Sequence, residues 1–386
     1  MDKIYYGRQY IDEDDCAAVR EVLLSDYLTT GPKPHELEVR LCELTGAKYA
    51  VAIANGTAAL HAACFAAGIG LGDEVITTPM TFAASANCVL YCGGKPVFAD
   101  IESDTYNISP EAVEAIVTPR TKAIIAVDFT GQAAKYDELR DISKRHGLVL
   151  IVDAAHATGT RYNGEHIGNV ADITTFSFHP VKTVTGGEGG AILTNNREFY
   201  DRLMLFRTHG ITRDQAQMEY PSDDYWYYEQ VELGYNYRLT DFQAALIISQ
   251  LNKLDMFAAR RKAIVRRYNE AFSDIPEIII QQEIPQSDTV RHLYIIQLNK
   301  KLLKCTRREF FDAMAEKGIV CNVHYIPVYH HPYYRRLGYE KGLCPVAEQV
   351  YEGILSLPLY YSLSDEDVER VISVVRDTVF MYKLRK

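Results

Sequence analysis

The chain has 386 residues, 47% of them hydrophobic and 24% charged, an ordinary globular balance with enough apolar material for two packed domains. Its 41 Lys and Arg against 51 Asp and Glu leave a formal net charge of −10. That acidity excludes a broad nucleic-acid or anionic-membrane footprint, either of which needs a basic face, so neither partner is expected.

No run approaches the ~20 apolar residues of a membrane span. Met1–Tyr6 lacks the apolar core of a secretory leader. Eight cysteines without framework spacing fit reduced thiols, and a cytoplasmic protein is expected. Cys88 and Cys92 lie four apart in an apolar helical stretch; with no second pair in the sequence, core packing is preferred over a metal site.

From Tyr49 onward, short apolar runs alternate with helical stretches. Strands are predicted at Tyr49–Ala54, Glu74–Thr78, Pro96–Ala99, Ala123–Phe129, Leu148–Asp153, Ile173–Phe178 and Ala191–Thr194. Most are continuous Val/Ile-rich runs, as expected of strands covered on both faces. Helices are predicted between them, including Thr57–Ala67, Phe82–Tyr91 and Tyr136–His146. This alternation implies an α/β fold with a mainly parallel sheet. Residues 220–237, rich in tyrosine and acidic groups, read as a long ordered loop. Asp241–Arg261 reads as one long helix with apolar residues at three- and four-residue spacing. Beyond it, His292–Gln297, Arg307–Glu316, Val320–Tyr325 and Asp365–Val375 read as a smaller α+β domain. The division expected is 1–255, an α/β domain with an N-terminal arm, and 256–386.

Asp153 ends the apolar strand Leu148–Asp153 and so points into the crevice where α/β folds bind ligands. Alone, it is better read as a helix cap. Lys182 follows 29 residues later (182 − 153), past the strand Ile173–Phe178 and amid Phe178, His179, Pro180 and Val181. Such partly apolar surroundings lower an amine's pKa and free it for Schiff-base chemistry. An aspartate and a lysine so placed are the pair a pyridoxal enzyme needs: the carboxylate keeps the pyridine nitrogen protonated, and the amine bonds the aldehyde. Asn55-Gly56-Thr57, between a strand and a helix, offers backbone N–H groups and a hydroxyl to an anion, or is a plain turn with Asn55 or Thr57 as cap. Ser177 is placed to offer a second hydroxyl. The cluster Gly186-Gly187-Glu188-Gly189-Gly190 lets backbone pass close to a ligand, but it is not a dinucleotide-binding loop. Phe82 is either a ring that stacks on a pyridine or a core aromatic. Each signal is weak alone; their order along the chain joins them.

The stretches SDYLTTGPK (25–33), ANGTAALHAAC (54–64), GDEVITTPMTF (72–82), VDAAHATG (152–159), FSFHPVKTVTGGEGGAILT (176–194), HGITRD (209–214), ELGYNYRLTDFQAAL (232–246), VHYIPVY (323–329) and SLPLYYSLSDEDVERVI (356–372) span nearly the whole sequence. Through them the chain resembles the DegT/DnrJ/EryC1/StrS sugar aminotransferases, which have the aspartate-aminotransferase (type I) fold. The resemblance implies that Lys182 carries pyridoxal 5'-phosphate and shuttles protons, and that Asp153 pairs with the pyridine nitrogen. Gly56, Thr57 and Ser177 would hold the phosphate with Asn236 of a neighbouring subunit, making the enzyme a homodimer with shared sites; Phe82 and His156 would complete the cofactor site. The family's dehydratase branch has histidine in place of the lysine, so Lys182 implies transamination, with L-glutamate as donor and 2-oxoglutarate released.

Within the family, FHPVK, HGITRD and WYYEQVELGYNYR (226–238) resemble the branch of pseudaminic acid synthesis, which aminates a UDP-linked 4-keto sugar at C4. By that analogy Tyr6, Asp26, Tyr27, Leu28, Thr29, His179, Asn236, Val323, His324, Tyr325 and Ile326 would line the sugar-nucleotide site. The chain departs from pattern at His156, where the wider family has glutamine, at Gly186, where threonine is usual in this branch, and at Ala133-Ala134, where proline is common. The rival readings are the same reaction on another nucleotide-linked keto sugar, at C4 or C3, and a non-catalytic module on this fold; the complete Asp153, Lys182, Thr57 and Ser177 set counts against the module.

Overall fold

Runs of β-branched residues that are apolar on both faces must be covered on both faces, and all seven predicted runs lie in one sheet. The computed structural model describes residues 2–384. The strands are β1 (Tyr49–Ile53), β2 (Glu74–Thr77), β3 (Lys95–Phe98), β4 (Thr121–Val127), β5 (Val149–Asp153), β6 (Ile173–Ser177) and β7 (Gly190–Thr194), in the order β1-β7-β6-β5-β4-β2-β3. Neighbours from β3 to β6 run parallel. Helices lie in the connections from β2 to β5, whereas β5 reaches β6 through the short hairpin Arg161–Tyr162 and Glu165–His166. β7 runs antiparallel to both β1 and β6. Residues 178–189 form no helix, and the chain turns back directly beside β6.

The helix Tyr136–His146 matches its predicted span, and Gly56–Ala66 and Ala84–Tyr91 differ from theirs only at the ends. The long helix predicted over Asp241–Arg261 is instead two, Asp241–Leu251 and Leu254–Phe272. The break falls at Lys253 (φ −104°, ψ 3°), whose ammonium pairs with Asp12 and with Asp15 at 3.0 Å. Asp15 is fully buried and also accepts from Ser249 (2.6 Å) and Gln250 (2.7 Å). The N-terminal helix Glu13–Leu23 is thereby pinned to the end of Asp241–Leu251. The predicted loop at 220–237 carries a short strand, Glu229–Gln230, which pairs with Ile211–Thr212 in an antiparallel ribbon.

C-terminal to this, Tyr294–Leu298 lies between Ile278–Ile280 and Ile354–Leu357 in a three-stranded antiparallel sheet. The helices Leu254–Phe272, Arg307–Glu316 and Asp365–Tyr382 supply Tyr268, Phe272, Phe310, Met314, Val371 and Val375 to the core beneath it. At the segment expected in the small domain over Val320–Tyr325, Ile319–Val320 pairs with the N-terminal Ile4–Tyr5, and Asn322 bridges to Ser356. The arm thus joins the C-terminal core before the chain enters the main sheet. Among the described residues no helix is long and apolar enough to cross a membrane. Cys64 and Cys88 are fully buried in the apolar cluster outside β2, where burial and the neighbouring thiols push the Cys64 thiol up.

Phe178, fully buried just past β6, belongs to the core cluster that also contains Ile247 of Asp241–Leu251. Phe178→Ala is expected to destabilise the protein by about 3–5 kcal/mol in denaturant titration, the cost of an aromatic cavity in a closed core. A loss under about 1 kcal/mol would show that this layer collapses to fill the space.

Candidate active site

The carboxyl ends of β1, β5 and β6 open into one cavity of about 660 Å³. At the end of β1, Asn55 caps the helix Gly56–Ala66 by accepting from the Ala58 N–H at 2.8 Å. The N–H groups of Gly56 and Thr57 are left among the unpaired donors of the first turn, where an anion is favoured. The structure shows the Asn55 cap, with Gly56 and Thr57 beside it on the cavity wall. Glycine is required where the strand ends meet: a Cβ on Gly56 would stand 2.7 Å from Ser177 Cβ, and one on Gly190 would stand 2.6 Å from the Asn55 carbonyl. Gly56, Thr57 and Ser177 lie together on this wall of the cavity.

Asp153 stands at the end of β5, only 5% exposed. Its Oδ2 accepts from Ser85 Oγ at 2.7 Å and its Oδ1 from the Ala155 N–H at 3.2 Å; Ser85 is in turn hydrogen-bonded to Thr81 at 2.7 Å. Burial pushes its pKa up, while Ser85, the Ala155 N–H and the charge of Lys182 pull it down. Lys182 sits in the turn after β6, where its N–H bonds the His179 carbonyl at 2.9 Å. Desolvation lowers the Lys182 ammonium to about 8, against the pull of Asp153. A buried carboxyl raised by desolvation against three opposing partners and an amine of lowered pKa face one space.

The opposite wall comes from the C-terminal part and the arm. His156 Nε2 lies 3.2 Å from the Tyr325 hydroxyl, and its ring is 4.6 Å from that of His292. His324 bonds Ser356 at 2.8 Å through Nδ1 and packs against Tyr6 at 5.2 Å between ring centroids. Burial, together with the charge of Lys182, lowers all three imidazoles, His324 to about 4, so they are neutral at physiological pH. Phe82, 61% exposed, stands at the rim with its ring 6.3 Å from Tyr325. His179 also lines the opening and is exposed.

The remaining sequence candidates lie elsewhere in the single chain. Asp26, Tyr27, Leu28 and Thr29 form an exposed turn tied to residues 240–241 by the Thr29–Thr240 bridge and the Asp241 N–H to Leu28 carbonyl bond. Asn236 is exposed and bridged to Thr208. Val323 is absent from the lining of this cavity and lines a separate hollow with Arg307 and Arg308, and Ile326 is 42% exposed. Sequence reasoning missed Ser85, whose signal is its place one helical turn after Thr81. It also missed His292, hidden in the run Val290–Tyr294, and the rim residues Tyr91, Glu188 and Tyr237. Gly186 lies outside the cavity lining; a Cβ there would stand 2.6 Å from Ile247 Cγ1.

These residues fit pyridoxal phosphate: a turn so close to the next strand that a Cβ would fill the gap, a buried carboxyl with donors and a cation beside it, and an amine of lowered pKa. Gly190→Ala should push the Asn55–Gly56 turn off Ser177 and weaken pyridoxal phosphate binding at least about tenfold, the equivalent of ~1.4 kcal/mol. Titration calorimetry of the apoprotein reads this; unchanged affinity would mean that the turn is not the phosphate cradle.

The model of the DegT/DnrJ/EryC1/StrS aminotransferase family matches residues 9–376. The spore coat polysaccharide biosynthesis protein SpsC of Bacillus subtilis is 42% identical over 376 residues, covering 97% of this chain and 96% of that protein. Among solved structures, Helicobacter pylori PseC, an aminotransferase involved in the biosynthesis of pseudoaminic acid, superposes with a TM-score of 0.91 at 32% identity, covering 98% of this chain and all of the other. The putative sugar aminotransferase Spr1654 of Streptococcus pneumoniae, solved in a PLP-form and a PMP-form, gives a TM-score of 0.91 for both, also at 32% identity, covering 98% of this chain and 99% of the other. The chain belongs to the DegT/DnrJ/EryC1/StrS aminotransferase family: it has the fold of the pyridoxal-phosphate transferases and is a sugar aminotransferase with that cofactor.

Proposed function

We propose that this enzyme moves the amino group of L-glutamate to C4 of a UDP-linked 4-keto-6-deoxy-N-acetylhexosamine, releasing 2-oxoglutarate, as a cytoplasmic homodimer in pseudaminic acid synthesis. The observation that carries the reading is one cavity holding both Lys182 and Asp153 and extending past them to Tyr6 and His324. Its volume is in the range of sites that hold drug-sized ligands. Similarity to PseC over nearly the full length supports the sugar.

Bound pyridoxal phosphate supplies the aldehyde that carries the amino group and a ring that withdraws electrons from the reacting carbon. The chain's residues do the rest. Asp153 would hold a proton on the pyridine nitrogen, with Ser85 and Ala155 keeping its carboxylate aimed. Gly56, Thr57 and Ser177 would hold the phosphate, and Phe82 and His156 would complete the cofactor site. Lys182 Nζ would remove the proton from the donor's α-carbon in the first half-reaction and deliver a proton to the sugar's C4 in the second, roles for which an amine with a pKa of about 8 is suited. The neutral histidines line the far wall without adding charge that would compete with Asp153. Residues 1–255 would carry the cofactor and 256–386 would close the sugar side. Asp26–Thr29 and Asn236, exposed in one chain, would act on the site of the second subunit, with Asn236 completing the phosphate cradle. A second reading, favoured by the 42% identity to SpsC, is the same transfer onto a different nucleotide-linked keto sugar.

Incubation with glutamate and separate UDP-4-keto sugars of L-arabino and D-xylo configuration, followed by product NMR, should give a C4 amine from the L-arabino ketone. Preference for the D-xylo ketone, or amination at C3, would replace the sugar assignment. In the same assay Lys182→Ala should be inactive while remaining folded, and borohydride should trap no cofactor on it.

The shared site is tested by subunit exchange. Lys182→Ala and Asn236→Ala homodimers should each be inactive. Mixed dimers should recover activity, since one of their two sites carries both lesions and the other neither. Two inactive parents whose mixture stays inactive would place Asn236 in its own subunit's site.

A further inference from the structure

β4 and β5 are adjacent and parallel, with Val127 opposite Asp153. The residue after β4 is Asp128, whose N–H bonds the Asp153 carbonyl at 3.1 Å. Two carboxyls therefore leave the sheet side by side. Asp153 enters the cavity, whereas Asp128 is fully buried behind it. Asp128 Oδ2 accepts from the Tyr136 hydroxyl at 2.6 Å and Oδ1 from the Ala134 N–H at 3.0 Å. Asn107 fixes the intervening turn, accepting from the Phe129 N–H and donating to the carbonyls of Gln132 and Ala133. The titratable groups facing Asp128 are Tyr136, from the helix after the turn, and Asp153, from β5; no cation is among the groups that set its charge. Tyr162 packs on the far side of Tyr136 and bonds Asp137.

We propose that Asp128 is a positioning residue for the cofactor: a second strand-end carboxyl that releases its proton to solvent when Asp153 engages the pyridine nitrogen. The inference rests on the reading of Asp153 as that nitrogen's partner. Two buried carboxylates on neighbouring strands repel, and their titrations are coupled. With Asp153 charged and opposed only by Lys182 and its two donors, the repulsion favours the protonated Asp128. A protonated pyridine nitrogen beside Asp153 would offset more of the repulsion, favour the ionised Asp128 and make the potential at Asp153 more negative. Burial raises Asp128 to about 7, Tyr136 and the Ala134 N–H oppose this, and the Asp153 charge adds to it, so the switch lies in the working pH range. Hydrogen bonding alone does not demand a carboxyl here. An amide would meet the same two groups, its oxygen taking the Ala134 N–H and its nitrogen donating to the Tyr136 oxygen.

Asp128→Asn is therefore the test, with pyridoxal phosphate as the probe in equilibrium dialysis of the apoprotein from pH 5.5 to 8.5. Wild type and variant should bind alike at pH 5.5, where both are neutral at this position. At pH 8.5 the wild type should bind at least about threefold more tightly. Tyr136→Phe removes a donor that favours the carboxylate and should move that rise to higher pH. Melting of the apoproteins gives a readout without the cofactor. A carboxyl whose folded pKa exceeds its unfolded one contributes stability that is lost as pH rises toward the folded value. The variant lacks that slope, so its melting temperature should gain on the wild type between pH 5 and 7 and then level. An affinity ratio or a melting difference that does not change with pH would overturn the proposal. Asp153→Asn separates the two readings: if it weakens binding while the Asp128→Asn ratio stays flat, only the role of Asp128 fails. If Asp153→Asn binds as wild type, the Asp153 reading fails and this one with it.

Discussion

A carboxylate taken out of water keeps its charge only if donors or a cation replace the solvent, and the site is organised around meeting that demand at Asp153. Its position at the end of a central strand gives it a fixed direction. The price is desolvation, which by itself would neutralise it. Three separate parts of the chain answer: the Thr81–Ser85 pair from the approach to Ala84–Tyr91, the Ala155 N–H from the next turn, and Lys182 from beyond β6. The charge that Lys182 lends Asp153 is itself weakened by burial, and the charge of Asp153 in turn opposes the loss of the Lys182 proton. Such mutual adjustment of neighbouring groups is what acid–base chemistry near neutral pH requires.

The second constraint is closeness. A phosphate cradle made of backbone and hydroxyls works only if the strand ends that supply it nearly touch. β7 running back beside β6 brings Gly190 under the Asn55–Gly56 turn, and Gly56 against Ser177. No side chain fits at either contact. The far wall is assembled differently, from residues that the N-terminal arm and the C-terminal sheet bring in. Ile4 pairs with Ile319, the Tyr6 carbonyl accepts from the Leu359 N–H, and Tyr6 meets His324. The cavity therefore closes only when the first residues of the chain have docked on its last third.

Legibility in the sequence followed burial. The seven strands of the main sheet are covered on both faces, so their apolar runs are continuous and all were readable. The small-domain strands Ile278–Ile280 and Ile354–Leu357 are short and escaped, although the helices Arg307–Glu316 and Asp365–Tyr382 did not. The break at Lys253 was invisible because its cause, the ion pairs with Asp12 and Asp15, is remote in sequence. In the site, Asp153, Lys182, Thr57 and Ser177 were legible because each follows a strand or opens a helix. Ser85 and His292 were not, since a serine in an apolar helix and a histidine in a core run carry no mark of what they face. Asp26–Thr29 and Asn236 were named only by resemblance, and one chain alone leaves them on its surface.

The packing of Gly186 against Ile247 also bears on how sequences of this branch can vary. A first side-chain carbon at 186 would meet Ile247 Cγ1 at 2.6 Å and the Glu188 carbonyl oxygen at 2.9 Å. A residue larger than glycine at 186 therefore needs the side chain at 247 to shift or shrink. They should therefore change together in evolution, as a size exchange between the glycine cluster and the helix behind it. Transplanting the glycine cluster of a relative into this chain would require its helix residue as well.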